Sequence, residues 1–292
     1  MSRIQFYAQA TSRALLVALT ALPWCLSLTP AAVHAAAPAS AAPAAKVVRY
    51  AFPAAETGFD PAQVSDLYSA TVISHIFEPP LTYDYAERPI RLKPQTAAAL
   101  PESSADFRSW TLRIQPGTYF ADDPAFKGQR RELTAADYAY AVRRHFDPRW
   151  KSPSYGTLQD NPIVGLEPVR QAALDQNKPF DYEQAVPGLV LVDRYTLRIS
   201  LTRPDPHFAL LLANPVVFGA VAREVVDTYG ADMMAHPVGT GPFKLVQWRR
   251  SSRIVLERNP GFREQTYDSQ AIPGDARSAE LVARFKGRKL PM

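Results

Sequence analysis

The residues able to do chemistry are few and scattered. Glu56 and Asp60 stand four apart, and two nearby carboxylates can divide general acid and general base duties. Asp60 precedes Pro61, however, and an aspartate there makes an Asx-type turn that commits its carboxylate to neighbouring backbone N–H groups. Glu56 follows an expected strand, the place where α/β sheets put ligand groups, so it is carried forward as a cleft residue rather than a catalyst. His75, His145, His207 and His236 have no second histidine at metal-ligand spacing. His75 and His145 sit in helical patterns and read as packed or surface residues. His236 precedes a Gly-rich turn and is expected to orient it. There is no Gly-x-Ser-x-Gly elbow, no His-Glu-x-x-His pair and no phosphate-cradling loop. No catalytic signature is present, and no cofactor or metal is implied.

The N-terminus reads as a secretory leader. Arg3 and Arg13 supply the positive region, Ala14 to Leu22 the short apolar core, and Val33-His34-Ala35 a small-x-small cleavage site. That core is too short to span a bilayer. The single cysteine, Cys25, lies inside this segment, and Trp24 beside it spoils a lipoprotein box. Cleavage after Ala35 leaves a chain with no thiolate and no disulfide. Residues 36–45 are Ala/Pro-rich and read as a loose linker. The formal net charge of +5 is mild, with Lys and Arg scattered and no aromatic-interleaved basic stripe, so no nucleic acid partner is expected.

The candidate residues need elements to hold them. Val47 to Phe52 reads as a first strand. A helix is expected from Asp66 to Phe77, with Ser65 as N-cap and Leu67, Ala70, Ile73 and Phe77 on one face. Trp110, Leu112 and Ile114 alternate with polar residues as in a half-buried strand. Thr134 opens a second helix, with Asp137 at N3 as a capping box and Asp147-Pro148 ending it. Leu189 to Val192 and Tyr195 to Thr202 form a hairpin around Asp193-Arg194. Asp205-Pro206 opens a short apolar helix to Asn214, and Val221 to Tyr229 forms another, stopped by Gly230. His236-Pro-Val-Gly-Thr-Gly-Pro-Phe243 is a turn, with Gly239 and Gly241 free to take positive φ. It feeds a ribbon of Phe243 to Trp248 and Arg253 to Arg258, stopped by Asn259-Pro260-Gly261, with Trp248 reading as core. Strands and helices intermix, which gives an α/β or α+β class.

Five segments also resemble, in order, the motifs of family 5 extracellular solute-binding proteins, the oligopeptide and dipeptide receptors of bacterial ABC importers. They are Gly58-Phe-Asp-Pro-Ala62, Glu78-Pro-Pro-Leu-Thr-Tyr-Asp84, Trp110-Thr-Leu-Arg-Ile-Gln-Pro-Gly117, Leu133-Thr-Ala-Ala-Asp-Tyr138 with Arg143 to Pro148, and the His236 to Pro260 segment. Ala121 to Arg131 departs from the pattern, being longer and more basic than the family's turn.

The resemblance implies an α/β fold: a periplasmic-binding-protein-like first lobe with an inserted subdomain, second lobe absent. On that mapping 46–79 and 206–268 build the discontinuous first lobe, 80–205 the inserted subdomain and 269–292 a truncated tail. Ser65 and Leu67 match the family's ligand-proximal loop, although Ser65 stands where some peptide receptors place an acid, and its other reading is the helix N-cap alone. Tyr155, with Ser154, falls near a position whose aromatic contacts the ligand backbone. The implied site is therefore Glu56, Ser65, Leu67 and Tyr155. The implied function is periplasmic capture of a short peptide or similar small solute for the permease subunits of an ABC importer, by a monomer, and deficient in a chain this short. The alternative is a non-transport remnant or an interaction module built on the first-lobe surface.

Overall fold

The computed structural model describes residues 46–84, 89–268 and 270–289. The leader and linker expected over 1–45 lie outside these. The strand expected over Val47 to Phe52 is not formed, and that stretch is irregular. Val47 and Val48 are 64% and 93% exposed. Strand-forming side chains are not enough where no neighbouring strand receives the N–H and C=O groups.

The first helix, α1 (Leu67–Ile76), is capped by Asp66, whose carboxylate accepts from the Ser69 N–H at 2.7 Å. Ser65, the expected cap, is exposed and one position too early. Asp66 has the extended backbone of a cap and its side chain reaches N3. α1 buries Ser69, Val72, Ile73 and Ile76. Next come an antiparallel pair, β1 (Leu81–Asp84) and β2 (Arg91–Pro94), then β3 (Glu102–Ser103) and β4 (Ser109–Arg113). Three helices follow: α2 (Ala135–Phe146), α3 (Tyr155–Asp160) and α4 (Leu166–Asp175). The hairpin β5 (Leu189–Asp193) and β6 (Thr196–Ser200) joins β3 and β4 in a four-stranded antiparallel sheet of order β3-β4-β6-β5. Its register sets Trp110 opposite Ile199 and Leu112 opposite Leu197, so one face is continuously apolar.

The helix expected up to Asn214 is only the short α5 (Phe208–Leu211), and a second short helix that was not expected, α6 (Pro215–Phe218), follows it. Asn214 separates them because its side chain accepts from the Val216 N–H at 2.9 Å and starts the second piece afresh. After α7 (Arg223–Tyr229) comes the expected ribbon, β7 (Phe243–Arg249) and β8 (Arg253–Arg258), and then α8 (Ala276–Phe285). Every strand pairing among the described residues is antiparallel.

Two apolar clusters hold these elements. One joins Trp110, Leu112 and Ile199 of the sheet with Tyr138, Val142, Leu166 and Phe218. The other joins Phe59, Ile73, Phe77, Trp150 and Val221, with Leu245, Trp248, Ile254 and Leu256 of the ribbon laid against it. α2 is the shared wall: Val142 belongs to the first cluster and its neighbour Ala141 to the second.

Candidate functional site

The turn that leads to α1 is fixed from below. Asp60 is fully buried and accepts from Arg144 of α2 at 2.7 Å (Nη1 to Oδ1) and 2.8 Å (Nη2 to Oδ2). It also accepts from the Ala62 N–H at 3.1 Å, the Asx bond the sequence anticipates, and from Gln63 Nε2 at 2.6 Å. Burial alone would raise the Asp60 carboxyl; the Arg144 charge and its paired hydrogen bonds outweigh burial and hold it below the usual range. Arg144 lies over the Trp150 ring at 4.5 Å. The carboxylate is therefore structural, locked in a fork that planar guanidinium suits.

At the other end of α1 a second buried carboxylate gathers distant segments. Glu78 accepts from Arg263 at 2.6 and 2.8 Å, from Gln95 Nε2 at 2.7 Å and from Thr240 Oγ1 at 2.9 Å. Thr240 sits in the Gly-Thr-Gly turn, which lies on the end of α1. The Gly241 N–H donates to the Ile76 carbonyl at 2.8 Å, and Gly239 gives its carbonyl to the Ala121 N–H at 2.9 Å. Neither glycine has positive φ, contrary to expectation. They are needed for closeness: a Cβ on Gly239 would stand 2.0 Å from the Ile76 carbonyl oxygen, and one on Gly241 2.5 Å from that of His75. The turn could be read as Gly-requiring, but only the contact explains why.

Three of the four expected site residues are brought together. Glu56 precedes Thr57, whose hydroxyl donates to Asp66 at 2.6 Å and whose N–H donates to Ser69 Oγ at 3.0 Å. Those bonds lay Glu56 against the first turn of α1, where Ser65 and Leu67 stand exposed, Leu67 at 71%. The Glu56 carboxylate is buried and committed: Oε1 accepts from Trp248 Nε1 at 2.6 Å and from the Ser251 N–H at 3.0 Å. Burial raises its pKa, and the Trp248 and backbone bonds more than offset this. Trp248 packs 5.0 Å from Phe59, as expected of a core residue. Tyr155 makes its contacts elsewhere. It opens α3, its ring meets Phe146 edge-on at 5.6 Å, and its hydroxyl donates to Glu167 at 2.7 Å while accepting from Gln159 at 2.8 Å.

The histidines are not a catalytic set. His145 is buried, its Nε2 3.2 Å from the Val217 carbonyl and its Nδ1 2.7 Å from Ser152 Oγ; burial, then the Arg144 charge, push its pKa down to about 4. His75 is exposed, with Nδ1 2.7 Å from the Thr71 carbonyl. His236 stacks on Tyr229 at 4.6 Å, which fixes the start of the Gly-rich turn. No group of His, Cys, Asp and Glu among the described residues could hold a metal ion. Two shallow grooves mark the surface. One of about 520 Å³ lies over Glu78 between Ser74, Tyr83, Leu210 and Pro215; one of about 500 Å³ lies between Asp160, Arg203 and His207. Neither includes Glu56, Ser65, Leu67 or Tyr155. The arrangement can present polar and apolar contacts from a rigid turn; it assembles no acid–base or nucleophile pair.

Sequence reasoning missed Glu78, Arg144 and Arg263 as organising residues. Arg144 was detectable, since it falls on the helical face that carries Ala141, Val142 and His145. Glu78 and Arg263 are 185 residues apart, and no local pattern joins them.

Comparison with known proteins agrees with this architecture. The family model of the bacterial extracellular solute-binding proteins, family 5 (middle), matches residues 91–279. The periplasmic oligopeptide-binding protein OppA of Salmonella typhimurium is 28% identical over 209 residues, covering 70% of this chain and 34% of its own length. The glutathione-binding protein GsiB of Pectobacterium atrosepticum is 26% identical over 235 residues, covering 80% and 38%. Among solved structures, Haemophilus influenzae OppA in complex with RPPGFSPFR aligns with a TM-score of 0.55 at 25% identity, covering 70% of this chain and 36% of that one. Burkholderia pseudomallei OppA aligns with a TM-score of 0.57, covering 72% and 38%; at 22% identity it speaks to the fold. The chain thus spans little more than a third of the length of these relatives. With a family model matched across most of its length and the same mixed α/β lobe in its structural relatives, the chain belongs to the family 5 bacterial extracellular solute-binding proteins.

Proposed function

We propose that this chain carries the peptide-side first lobe, with its inserted subdomain, of a periplasmic binding component of an ABC importer, and that alone it holds peptide weakly. The observation that carries this reading is the exposed first turn of α1, Ser65 to Leu67, held rigid by Asp60 and Arg144 in a chain whose relatives include proteins named for binding oligopeptides and glutathione. In this reading 46–79 and 206–268 make the lobe, 80–205 is the inserted subdomain, Ser65 and Leu67 face the ligand, Glu56 supports them from below, and Tyr155 belongs to the subdomain's share of the site. Glu56 acts through Trp248 and Ser251 rather than by a free charge, so the contacts offered are neutral.

No bond is broken. Ligand closure between lobes would be the working step, with binding energy shifting an open–closed equilibrium. Small-ligand sites bury about 70–90% of the ligand surface, and one lobe covers one side of it. Water then weakens each polar contact while ordering costs remain.

The test is a titration of the secreted chain with short peptides, followed by calorimetry and by amide chemical shifts. The expected result is no calorimetric binding at micromolar peptide, with shifts at Ser65 and Leu67 at millimolar peptide. Micromolar affinity overturns the weak-binding proposal; no shift at these amides removes the site. N-terminal sequencing of the periplasmic product should begin near Ala36, and a product kept in the cytoplasm with Met1 in place would remove the periplasmic assignment.

A further inference from the structure

We propose that the turn between β7 and β8 docks on an anionic phospholipid surface through Arg249, Arg250 and Arg253. This goes beyond ligand capture and does not depend on it.

The three arginines fall within five residues, and all are exposed. Arg249 and Arg253 are direct cross-strand partners at the last rung of the ribbon, and Arg250 begins the turn above them. Like charges placed directly opposite destabilise a hairpin, so this rung works against the fold that carries it. None of the three takes part in an ion pair among the described residues. The ribbon's single acid, Glu257, stands opposite Lys244 at the far end. Glu56, under the turn, is buried and already accepts from Trp248 and Ser251. Arg250 helps hold that carboxylate ionised and is partly offset by it, whereas the repulsion between Arg249 and Arg253 has no ion pair to relieve it among the described residues.

The turn is also a firm presenter. The Glu56 bonds hold both its first strand, at Trp248, and its middle, at Ser251, which takes a left-handed φ of 58°. Neither of the two grooves reaches it, so neither gives it a shape with which to select a small anion. A continuous anionic plane needs no such shape, because three guanidinium groups can each find a phosphate. Val246, 51% exposed on the same ribbon, offers apolar contact beside them. Residues 249–292 hold ten Lys and Arg against five Asp and Glu, which equals the chain's whole excess of +5, so the rest of the molecule does not add to this attraction. A basic residue near an anionic membrane contributes on the order of 1 kcal/mol, about fivefold in affinity, and three together give roughly 100-fold.

The test uses the full chain and an R249S/R250S/R253S variant, each mixed with phosphatidylglycerol vesicles, phosphatidylcholine vesicles and soluble inositol hexaphosphate. Residues 1–35 are present in both proteins, so the difference between them isolates the turn. The expected result is sedimentation with phosphatidylglycerol vesicles that weakens with salt and falls roughly 100-fold in the variant, with no such difference on phosphatidylcholine. The variant should melt no lower than the parent, because the opposed charges are gone. Equal binding of the two proteins to phosphatidylglycerol overturns the proposal. Parent binding to inositol hexaphosphate as tight as to vesicles overturns the membrane assignment in favour of a free anion.

Discussion

Asp60 and Arg144 show how one residue can carry the shape of a whole turn. Both are removed from water, and removing one partner of such a pair leaves the other charge buried without compensation. Asp60→Ala is expected to cost about 3–5 kcal/mol in urea unfolding, whether or not peptide is present. A cost below about 1 kcal/mol, the scale of a surface pair, would show that Arg144 finds water on relaxing and that the turn does not depend on it. Ser65 teaches the converse. Its type fits an N-cap, yet Asp66 caps the helix, because a cap is chosen by which neighbour has the extended backbone and reaches the N3 amide. Two adjacent cap-type residues cannot be ranked from sequence alone.

Among the elements, those with strong periodicity were legible and those defined by contact were not. α2 begins at Thr134 with Asp137 closing the capping box, as its pattern states, and the β5–β6 and β7–β8 hairpins follow their alternation. α4 was hidden by its first turn. Gly165 takes a φ of 85° as N-cap and Pro168 follows, two residues that usually signal a break but are tolerated in a helix's opening turn. The β1–β2 pair was hidden for another reason: β2 is almost wholly exposed and shows no apolar alternation to read. The Gly-rich turn gave its place but not its purpose. Its prediction follows from contact: Gly241→Ala must push the backbone away from the ends of α1, where Gly241 hydrogen-bonds Ile76. The expected loss is about 2 kcal/mol or more, with faster amide exchange through the ribbon and altered Trp248 emission. A fully stable Gly241→Ala protein with native Trp248 emission would mean that the turn is not seated on α1.

For the molecule as a whole, His145 ties stability to pH in the mildly acidic range. Its side chain is buried and neutral, bonded to Val217 and Ser152, with Arg144 as the nearest charged neighbour and Asp60 opposing it. Its folded pKa of about 4 lies below the 6.5 of a free histidine. Between those values the unfolded chain binds a proton that the folded chain does not, so stability is complete above about pH 6.5 and falls as pH drops toward 4. The loss across that window is up to about 3 kcal/mol, and His145→Gln should flatten the slope there. Parallel pH profiles for the two proteins would assign the slope to other groups. The sequence placed His145 on a helix next to Arg144, as a packed or surface residue, but carried no sign of its burial or of Asp60, which reaches Arg144 across 84 residues.

The Glu78 cluster has a consequence in time as well as in space. Its carboxylate is buried at the end of α1, and although Gln95 reaches it from nearby, its countercharge and its hydroxyl donor arrive late in the chain: Thr240 after 162 residues and Arg263 after 185. Until both are present, closing the end of α1 over Glu78 would bury a lone charge, which costs more than leaving it wet. The early segments are thereby kept from settling, and closure waits for a contact of long sequence separation, the kind that slows folding. A chain built this way stays open while its C-terminal third is still being made.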